Sequence, residues 1–489
     1  MYGPREKVFW FAITSRVGVI MWQFVCNAVC SDHDADAFRS PLNPLESTGF
    51  FDRVIHRAFS GLTRWDAQYF IHIAKYGYTY ENTLAFFPLF PMSIRGVAMI
   101  IGRFLFILNK DSVIVISAVL INLACFVKSA VIFYDLSLKV LKNNDVAYKA
   151  GLLYCINPAS IFFTAFYTES MFAYLSFYGM LASVGGNSFD YLPIGLSTIV
   201  RSNGLVNLGF PVYTWLNNFL TLIATEYQGT SLFKAFMSSL FRFFLLGLSI
   251  FNTVFLSLVP FILLQVYNYM EFCTSTSVGS YMPEHVLRYG IENDLILPGS
   301  GNVTWCYASV PMAYAYVQKT YWNVGFMEYY TFRQIPNFLV ALPALFLMYK
   351  CSLEYLLQHK ERLLTTDLAP RAKEREKPTR WRYPPEMFVF VVHGLLLTLF
   401  CTFFVHIQVS TRLLASASPL IYWYCAFALS YKPSSKSNTY DELDNTFSKW
   451  RVFLMTQKHY TVIDKLIYSY FLGYLVVGTF MYSNFLPWT

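Results

Sequence analysis

The sequence predicts an all-α polytopic membrane protein, and three observations lead to that class. The chain has 489 residues, of which 55% are hydrophobic and only 13% charged, whereas a soluble domain carries about 25% charged residues. Its mean hydropathy is positive, at +0.40. Apolar runs of about 20 residues, the length that lets a helix cross a bilayer, recur from one end of the chain to the other.

The apolar runs set the predicted membrane topography. Segments long enough to span lie near 8–28, 86–108, 113–140, 147–166, 168–185, 191–213, 238–268, 335–356, 386–409, 411–430 and 461–484. We expect about 10 to 12 transmembrane helices in one domain over 1–489, with three or four helices in the region 147–227. The first run is too long for the apolar part of a cleaved signal peptide, so we predict an uncleaved signal anchor.

The Lys and Arg bias of the loops predicts their sides of the membrane. Two basic residues before the first apolar run place the N-terminus in the cytosol, which puts loop 31–85 on the luminal side. Loop 357–385 has eight Lys and Arg residues against four acids, and loop 431–460 has five against three, so both are predicted to be cytosolic. Loop 271–334 has three against five and is predicted to be luminal. The basic excess therefore indicates topology, and we expect no nucleic-acid partner.

The second predicted luminal loop contains two candidate sites of covalent modification. Seven of the nine cysteines lie in or beside apolar runs and are predicted to be plain core residues. Cys273 and Cys306 both fall in loop 271–334, where an oxidising lumen is compatible with a disulfide between them. Asn302 begins an Asn-Val-Thr glycosylation sequon in the same loop.

Asp66 is the candidate catalytic residue of the first luminal loop. The run Arg64-Trp65-Asp66 lies shortly before an apolar segment, where burying charge is costly. A carboxylate in a cleft can act as a general base towards an acceptor hydroxyl. Trp65 can offer a face for a sugar, and Arg64 can hold a phosphate or pair with a carboxylate. The alternative is an interfacial Trp anchor beside an exposed acid.

A second acidic stretch, residues 32–36, begins the same loop. Three Asp residues and a His within residues 32–36 offer hard oxygen ligands for a divalent cation. The spacing fits no strict metal pattern, and a solvated turn is the alternative that we favour. We therefore assign no metal site.

Charged residues also interrupt later apolar runs. Pro158 should kink or end a helix, and Glu169 follows it within the apolar region. Arg201, in Arg-Ser-Asn-Gly with Asn203, must find an anion or water. Lipid phosphate and an ion pair with Glu169 remain open alternatives. Arg412 can likewise face phosphate or reach the membrane surface.

Two further short motifs supply candidate binding residues. Gln408 lies in the predicted tight turn 406–412, together with the arginine at its end. Trp322 and Asn323 lie in Tyr-Trp-Asn-Val-Gly-Phe, residues 321–326. The aromatic rings of this motif can stack on a sugar or lie along the membrane surface.

These motifs together resemble the PIG-V family of mannosyltransferases. The resemblance is carried by Trp65-Asp66-Ala67, Phe86 to Pro91, Asn157-Pro158-Ala159, Arg201 to Gly204, Tyr321 to Phe326, Gln334 to Leu339 and Asn484 to Thr489, in this order. It extends from the first loop to the last residue. Loops 357–385 and 431–460 carry no family motif.

The resemblance implies a GT-C-type glycosyltransferase of the endoplasmic reticulum membrane with two larger luminal loops. Such an enzyme adds the second mannose, in α-1,6 linkage, to a glycosylphosphatidylinositol (GPI) precursor and takes it from dolichyl-phosphate-mannose. Trp65 and Asp66 map onto the family's functionally important pair, which gives Asp66 the catalytic position. No cofactor is implied, and a metal requirement is not expected. The sequence leaves open whether an accessory membrane subunit takes part.

The implied chemistry leads to a hypothesis for the site. Transfer from a β-linked donor to an α product is a single inverting displacement, and a phosphate leaving group needs little protonation, unlike the alkoxide in glycosidases. Asp66 would deprotonate the acceptor hydroxyl, and Arg201 and Arg412 would hold the dolichyl phosphate. Competing classes are a transporter with broken helices, which predicts related halves that are not visible, and a non-catalytic scaffold subunit.

Overall fold

The computed structural model describes residues 3–186, 189–226, 232–274, 282–300, 303–361, 382–431 and 459–488, and its regular secondary structure in these ranges is helical. No strand occurs in these ranges. The α-helices are α1 Pro4–Val29, α2 Phe50–Phe59, α3 Ala67–Tyr76, α4 Leu89–Ile101, α5 Lys110–Leu141, α6 Asn144–Cys155, α7 Glu169–Val184, α8 Tyr191–Thr198, α9 Gly209–Glu226, α10 Leu232–Tyr269, α11 Glu284–Glu292, α12 Ala313–Trp322, α13 Ile335–Gln358, α14 Phe388–Phe403, α15 Ile407–Ala417, α16 Leu420–Ala428 and α17 Val462–Ser483. The predicted all-α class is confirmed.

Six helical stretches in the described ranges are long and apolar enough to cross a membrane. They are Pro4–Val29, Lys110–Leu141, Leu240–Thr274, Phe332–Gln358, Pro385–Phe403 and Val462–Ser483. The chain is therefore a polytopic membrane protein. The prediction of 10 to 12 spans exceeds this number, because it counted as single spans several runs that fold as shorter helices.

The shorter helices occur where the sequence interrupts an apolar run. Helix α6 ends three residues before Pro158, and non-helical backbone continues to Thr168, the residue before α7. The run 191–213 is divided into α8, a 3₁₀ turn over Ser202–Leu208 and the start of α9. The run 411–430 is divided into α15 and α16 just before Pro419. Proline lacks the N–H that would continue a helix, which explains two of these breaks.

Side-chain caps fix where several helices begin. The side chains of Asn109 and Asn143 accept the N–H groups of Ser112 and Val146 at the starts of α5 and α6. Thr461 and Asp464 form a reciprocal capping box at the start of α17. These contacts satisfy N–H groups that the first helical turn leaves unpaired.

Helix α5 is the centre of the bundle and packs against α1, α4, α6 and α7. Its buried rings form an aromatic core. Tyr154 of α6 stacks with Phe126 and Phe133 of α5 at 5.2 Å between ring centroids, and Tyr422 of α16 meets it edge-on at 5.4 Å. This core holds α5, α6 and α16 together behind the segment 156–168.

A buried arginine in α1 supports that irregular segment. The guanidinium of Arg16 donates to the carbonyls of Cys155 and Ser160 at 2.9 and 2.7 Å and to the hydroxyl of Thr164 at 3.0 Å. Non-helical backbone within an apolar bundle is stable only where its polar groups are satisfied by protein. Arg16 satisfies part of segment 156–168 in this way, a role that sequence reasoning did not identify.

The two large loops pack on each other at one end of the bundle, which we call the loop face (residues 31–85 and 282–334). The buried carboxylate of Glu81 accepts hydrogen bonds from Trp305 Nε1 at 3.0 Å and Tyr321 Oη at 2.8 Å. Burial raises the pKa of Glu81, and the two hydrogen bonds oppose that rise. Arg5 pairs with Asp135 at 3.0 Å, so the start of α1 and the end of α5 lie together at the opposite end.

Candidate functional site

Asp66 directly precedes α3, but its side chain does not cap that helix. Its Oδ2 lies 3.0 Å from Nη2 of Arg412 in α15, and its backbone N–H donates to the hydroxyl of Tyr167 at 3.1 Å. Trp65 has φ +53°, a left-handed conformation that costs free energy for a residue with a side chain. Asp66 keeps the N-cap position of α3, but its carboxylate pairs with Arg412 and does not bond to the first turn of the helix.

Arg412 links Asp66 to two more charged groups, and the four residues form what we call the charge chain: Asp66, Arg412, Glu169 and Arg201. Nε of Arg412 lies 3.8 Å from Oε1 of Glu169, and Nη1 of Arg201 donates to the same oxygen at 2.5 Å. The charges alternate in sign and sum to zero. The side chain of Glu169 is 1% exposed, whereas that of Asp66, at one end of the charge chain, is 30% exposed.

The charge chain has unused hydrogen-bonding capacity. Among the described residues, no donor reaches Oε2 of Glu169, and no hydrogen bond is made to Oδ1 of Asp66. Each guanidinium has five N–H donors, and the ion pairs use only some of them. An anion or a hydroxyl can therefore bind while the ion pairs stay in place.

Aromatic rings hold Arg412 in position. Its guanidinium lies 5.1 Å from the ring centroid of Phe162 and 5.2 Å from that of Tyr167. Both rings belong to the irregular segment that Arg16 supports. These cation–π contacts orient Arg412 towards Asp66.

The two arginines whose roles the sequence left open are both ion-paired in the structure. Arg201 forms the ion pair with Glu169, and Arg412 pairs with acids inside the protein and does not simply extend to the membrane surface. Asn203, beside Arg201, is buried and its Nδ2 has no described hydrogen-bond partner. A Cβ on Gly204 would lie 2.5 Å from the backbone of Ser197, which explains the glycine in this motif.

Of the two interactions considered for Arg64, phosphate binding and pairing with a carboxylate, the structure contains the second. Its Nη2 lies 2.8 Å from Asp32, and its guanidinium lies 4.6 Å from the ring centroid of Phe485. Asp32 is thus used in an ion pair. In the described ranges, no group of three or more His, Cys, Asp and Glu side chains is placed to hold a metal ion.

Trp65 packs against the C-terminal motif of the chain. Its ring lies edge-on to Phe485 at 5.7 Å, and Tyr482 donates to the carbonyl of Arg64 at 2.8 Å. The indole N–H of Trp65 is buried and has no hydrogen-bond partner among the described residues. It is a free donor next to Asp66.

Trp322, Asn323 and Gln408, the other candidate binding residues, lie on α12 or at its end and on α15. The Trp322 ring is 6.0 Å from that of Tyr69, one turn after Asp66. Asn323, the residue after Trp322, ends α12 in a left-handed conformation. Gln408, half-buried in the first turn of α15, makes no described hydrogen bond.

His72 of α3 is the histidine nearest to Asp66 in sequence, but it is not available as a base. Burial, with a smaller effect of Lys75, lowers its pKa to about 3. Both ring nitrogens have hydroxyl partners, Thr79 at 2.6 Å and Ser40 at 3.3 Å. A neutral, fully bonded imidazole serves structure here.

The cysteine pair predicted from the sequence is joined. Cys273 and Cys306 form a disulfide with a Cα–Cα separation of 5.6 Å. The pair ties the end of α10 to the segment before α12. The candidate glycosylation residue, Asn302, lies outside the described residues.

Sequence reasoning missed three contributors to the site: Tyr167, Phe162 and Phe485. The first two lie in the broken helix around Pro158, and the third lies in the C-terminal motif. Only Phe485 lies in a motif that the sequence analysis singled out, and that motif was given no role.

The helices and the charge chain define the class of protein: a polytopic membrane protein with a polar site within its helix bundle. A family model described as Mannosyltransferase (PIG-V) matches residues 5–489. The chain is 34% identical over 492 residues to GPI mannosyltransferase 2 of Drosophila melanogaster, covering 99% of this chain and 100% of the relative. It is 33% identical over 500 residues to GPI alpha-1,6-mannosyltransferase 2 of Homo sapiens, covering 99% of both.

A more distant relative, GPI mannosyltransferase pigv-1 of Caenorhabditis elegans, is 26% identical over 553 residues, covering 96% of this chain and 79% of the relative. The chain belongs to the PIG-V mannosyltransferase family, and it is a glycosyltransferase. The family resemblance read from the sequence motifs is confirmed.

Proposed function

We propose that this protein adds the second mannose, in α-1,6 linkage, to a GPI precursor in the membrane of the endoplasmic reticulum. The donor is dolichyl-phosphate-mannose, and the acceptor is the precursor that carries one mannose. The names of relatives at 33 to 34% identity support the GPI substrate and the linkage.

The observation that carries the proposal is the contact between Asp66 and Arg412. It puts a partly exposed carboxylate directly beside a guanidinium, between the residue before α3 and helix α15. Transfer of a sugar from a phosphate needs a base for the incoming hydroxyl and positive charge near the departing phosphate. The pair supplies both within one contact.

In the proposed reaction, Asp66 removes the proton from the 6-hydroxyl of the acceptor mannose. That oxygen bonds to C1 of the donor mannose while the bond from C1 to the phosphate oxygen breaks. Dolichyl phosphate leaves with the bonding electrons, and the configuration at C1 inverts. One carboxylate is enough, since the phosphate needs no general acid.

The departing phosphate binds to the free N–H donors of Arg412 and Arg201. Their ion pairs to Asp66 and Glu169 keep the guanidiniums fixed before substrate binds. Pre-positioned donors need no reorganisation as charge develops, which is how such groups lower a barrier. In this proposal the rings of Trp65 and Trp322 are the faces on which the acceptor sugar stacks.

The same proposal assigns the loop face to the lumen and the N-terminus to the cytosol. The charge bias of the loops supports this orientation. The disulfide Cys273–Cys306 at the loop face supports it as well, because disulfides persist in oxidising compartments. Loops 357–385 and 431–460 then face the cytosol.

A lipid analysis of cells that lack the protein tests the proposal. We expect a GPI precursor with one mannose to accumulate and the full-length chain to restore the two-mannose product. Asp34→Asn, at an exposed residue of the first loop, should restore it equally. Accumulation of a different precursor, or restoration of none, would contradict the proposed function.

A further inference from the structure

A large cavity opens at the loop face, and we call it the basic groove. It has a volume of about 1620 Å³ and lies between segment 39–46, helices α3 and α4, the start of α5, and α11. Asp66, Glu169, Arg201 and Arg412 are not among the residues that line it. The groove is therefore distinct from the charge chain.

Basic residues outnumber acidic ones in the lining of the basic groove. The six basic residues are Arg39, Lys75, Arg95, Arg103, Lys110 and Arg288, against the four acids Glu46, Asp111, Glu284 and Glu292. Two cations are neutralised locally, since Lys75 pairs with Asp111 at 2.6 Å and Arg288 pairs with Glu284 at 3.0 Å.

The remaining cations of the groove have no carboxylate within ion-pair distance in the part of the chain that the structure describes. Arg95 donates to the carbonyl of Ala74 at 2.7 Å, at the end of α3. Arg39, Arg103 and Lys110 are exposed. Unpaired guanidinium and ammonium groups lining one cavity are suited to an anion, above all to phosphate.

The rim of the groove is apolar. Leu42, Leu45 and Met99 line it and are 77%, 92% and 69% exposed. Met99 belongs to α4, a short apolar helix. A groove with cations inside and exposed aliphatic side chains at its edge matches a lipid with an anionic head group.

One end of the groove adjoins the turn that carries Asp66. The N–H of Ser40 donates to Oε1 of Gln68, two residues after Asp66, at 3.1 Å. The guanidinium of Arg39 lies 5.7 Å from the ring centroid of Phe485, the ring that also packs on Trp65. A ligand in the groove can thus extend one end to Asp66.

We propose that the basic groove binds the phosphoinositol lipid end of the acceptor, an inference that rests on the proposed function. The donor does not fit this position, because its phosphate is bonded directly to the mannose that is transferred. The donor phosphate must therefore lie beside Asp66, at the charge chain. In the acceptor, glycan separates the reacting hydroxyl from the phosphate on inositol, so that phosphate binds at a distance.

Kinetics with separately varied substrates test this assignment. Arg103→Glu should raise the KM for the one-mannose acceptor about tenfold, the loss expected for one charge-assisted hydrogen bond. The KM for dolichyl-phosphate-mannose and kcat should stay unchanged. Arg57→Glu is the matched control, because Arg57 is exposed on α2 outside the groove and changes the net charge equally.

A second acceptor separates phosphate binding from general damage. With the glycan alone, lacking phosphate and lipid, wild type and Arg103→Glu should be equally slow. Lys110→Gln provides a milder variant if Arg103→Glu is poorly expressed, with the same direction of change. A rise in the KM for the donor, or no change in either KM, would overturn the inference about the groove. If wild type still transfers mannose to the one-mannose acceptor, the proposed function stands in either case.

Discussion

Arg412 and Asp66 are 346 positions apart in the sequence, yet Arg412 Nη2 lies 3.0 Å from Asp66 Oδ2. The contact joins the first large loop to α15 near the other end of the chain. Through Arg412 it also connects to Glu169, which is buried in the bundle. The arrangement gives one guanidinium two tasks: it orients the base, and it keeps N–H donors free for an anion.

Replacing Arg412 tests those two tasks together. We expect Arg412→Lys to lower the rate of mannose transfer about 100-fold, the range seen when one preorganised donor is removed. Lysine keeps the charge but cannot present the fork of N–H groups. Transfer is measured in membranes and normalised to protein amount, with Arg53→Lys, exposed on α2, as the control. A full rate in Arg412→Lys would show that the guanidinium is dispensable.

The buried acid Glu169 should be a stability residue as well as a site residue. Glu169→Gln leaves the guanidiniums of Arg201 and Arg412 with one carboxylate between them. The free energy of unfolding should therefore fall by about 3 kcal/mol, as it does when a buried ion pair loses one partner. The measurement is thermal unfolding of detergent-solubilised protein. The double variant Glu169→Gln/Arg201→Gln should be more stable than Glu169→Gln alone, because it removes the uncompensated charge. Strictly additive losses would argue against coupling between the two side chains.

The disulfide at the loop face should contribute to stability. It joins residues 33 positions apart, and closing a loop of that size is worth about 3 to 4 kcal/mol in the chain-entropy treatment. Cys273→Ser, Cys306→Ser and the double variant should lower the melting temperature equally. Cys30→Ser, at a free cysteine, should have little effect. If alkylation after denaturation without reductant labels Cys273 and Cys306, the bond is absent.

The contact between the two loops can be weakened at Trp305. Trp305→Phe keeps an aromatic ring among the buried side chains between the two loops. It removes the indole N–H that donates a hydrogen bond to Glu81. A buried carboxylate oxygen without its donor costs about 1 to 3 kcal/mol, so the melting temperature should fall. Trp10→Phe, at an exposed position of α1, is the control. Equal melting temperatures for the two variants would mean that Glu81 finds another donor.

Much of the fold could be predicted from composition because apolar runs of spanning length are a strong local signal. The ends of helices α6 and α15 were harder to predict from the sequence. Pro158 predicted a break in the helix. The irregular segment around it is stabilised by Arg16, far away in α1, which donates hydrogen bonds to the carbonyls of Cys155 and Ser160. A lone arginine within an apolar run gives no indication of its partner.

The sequence drew attention to individual charged residues but could not show how they are arranged. Asp66, Arg201 and Arg412 each stood out as charges beside or within apolar sequence. The alternating order of the charge chain depends on tertiary contacts, so the sequence left Arg201 undecided between lipid phosphate and Glu169. Tyr167 escaped attention because a tyrosine in an aromatic-rich chain carries no signal of its own.

The central claim is that the Asp66 carboxylate accepts the proton of the acceptor hydroxyl. The most direct measurement compares Asp66→Asn with wild type and Asp34→Asn, at matched protein amounts and with both substrates saturating. We predict that Asp66→Asn loses about 10² to 10⁴-fold in rate, the contribution of a general base, while its abundance and melting temperature stay near those of wild type. Transfer by Asp66→Asn at the wild-type rate would contradict the account.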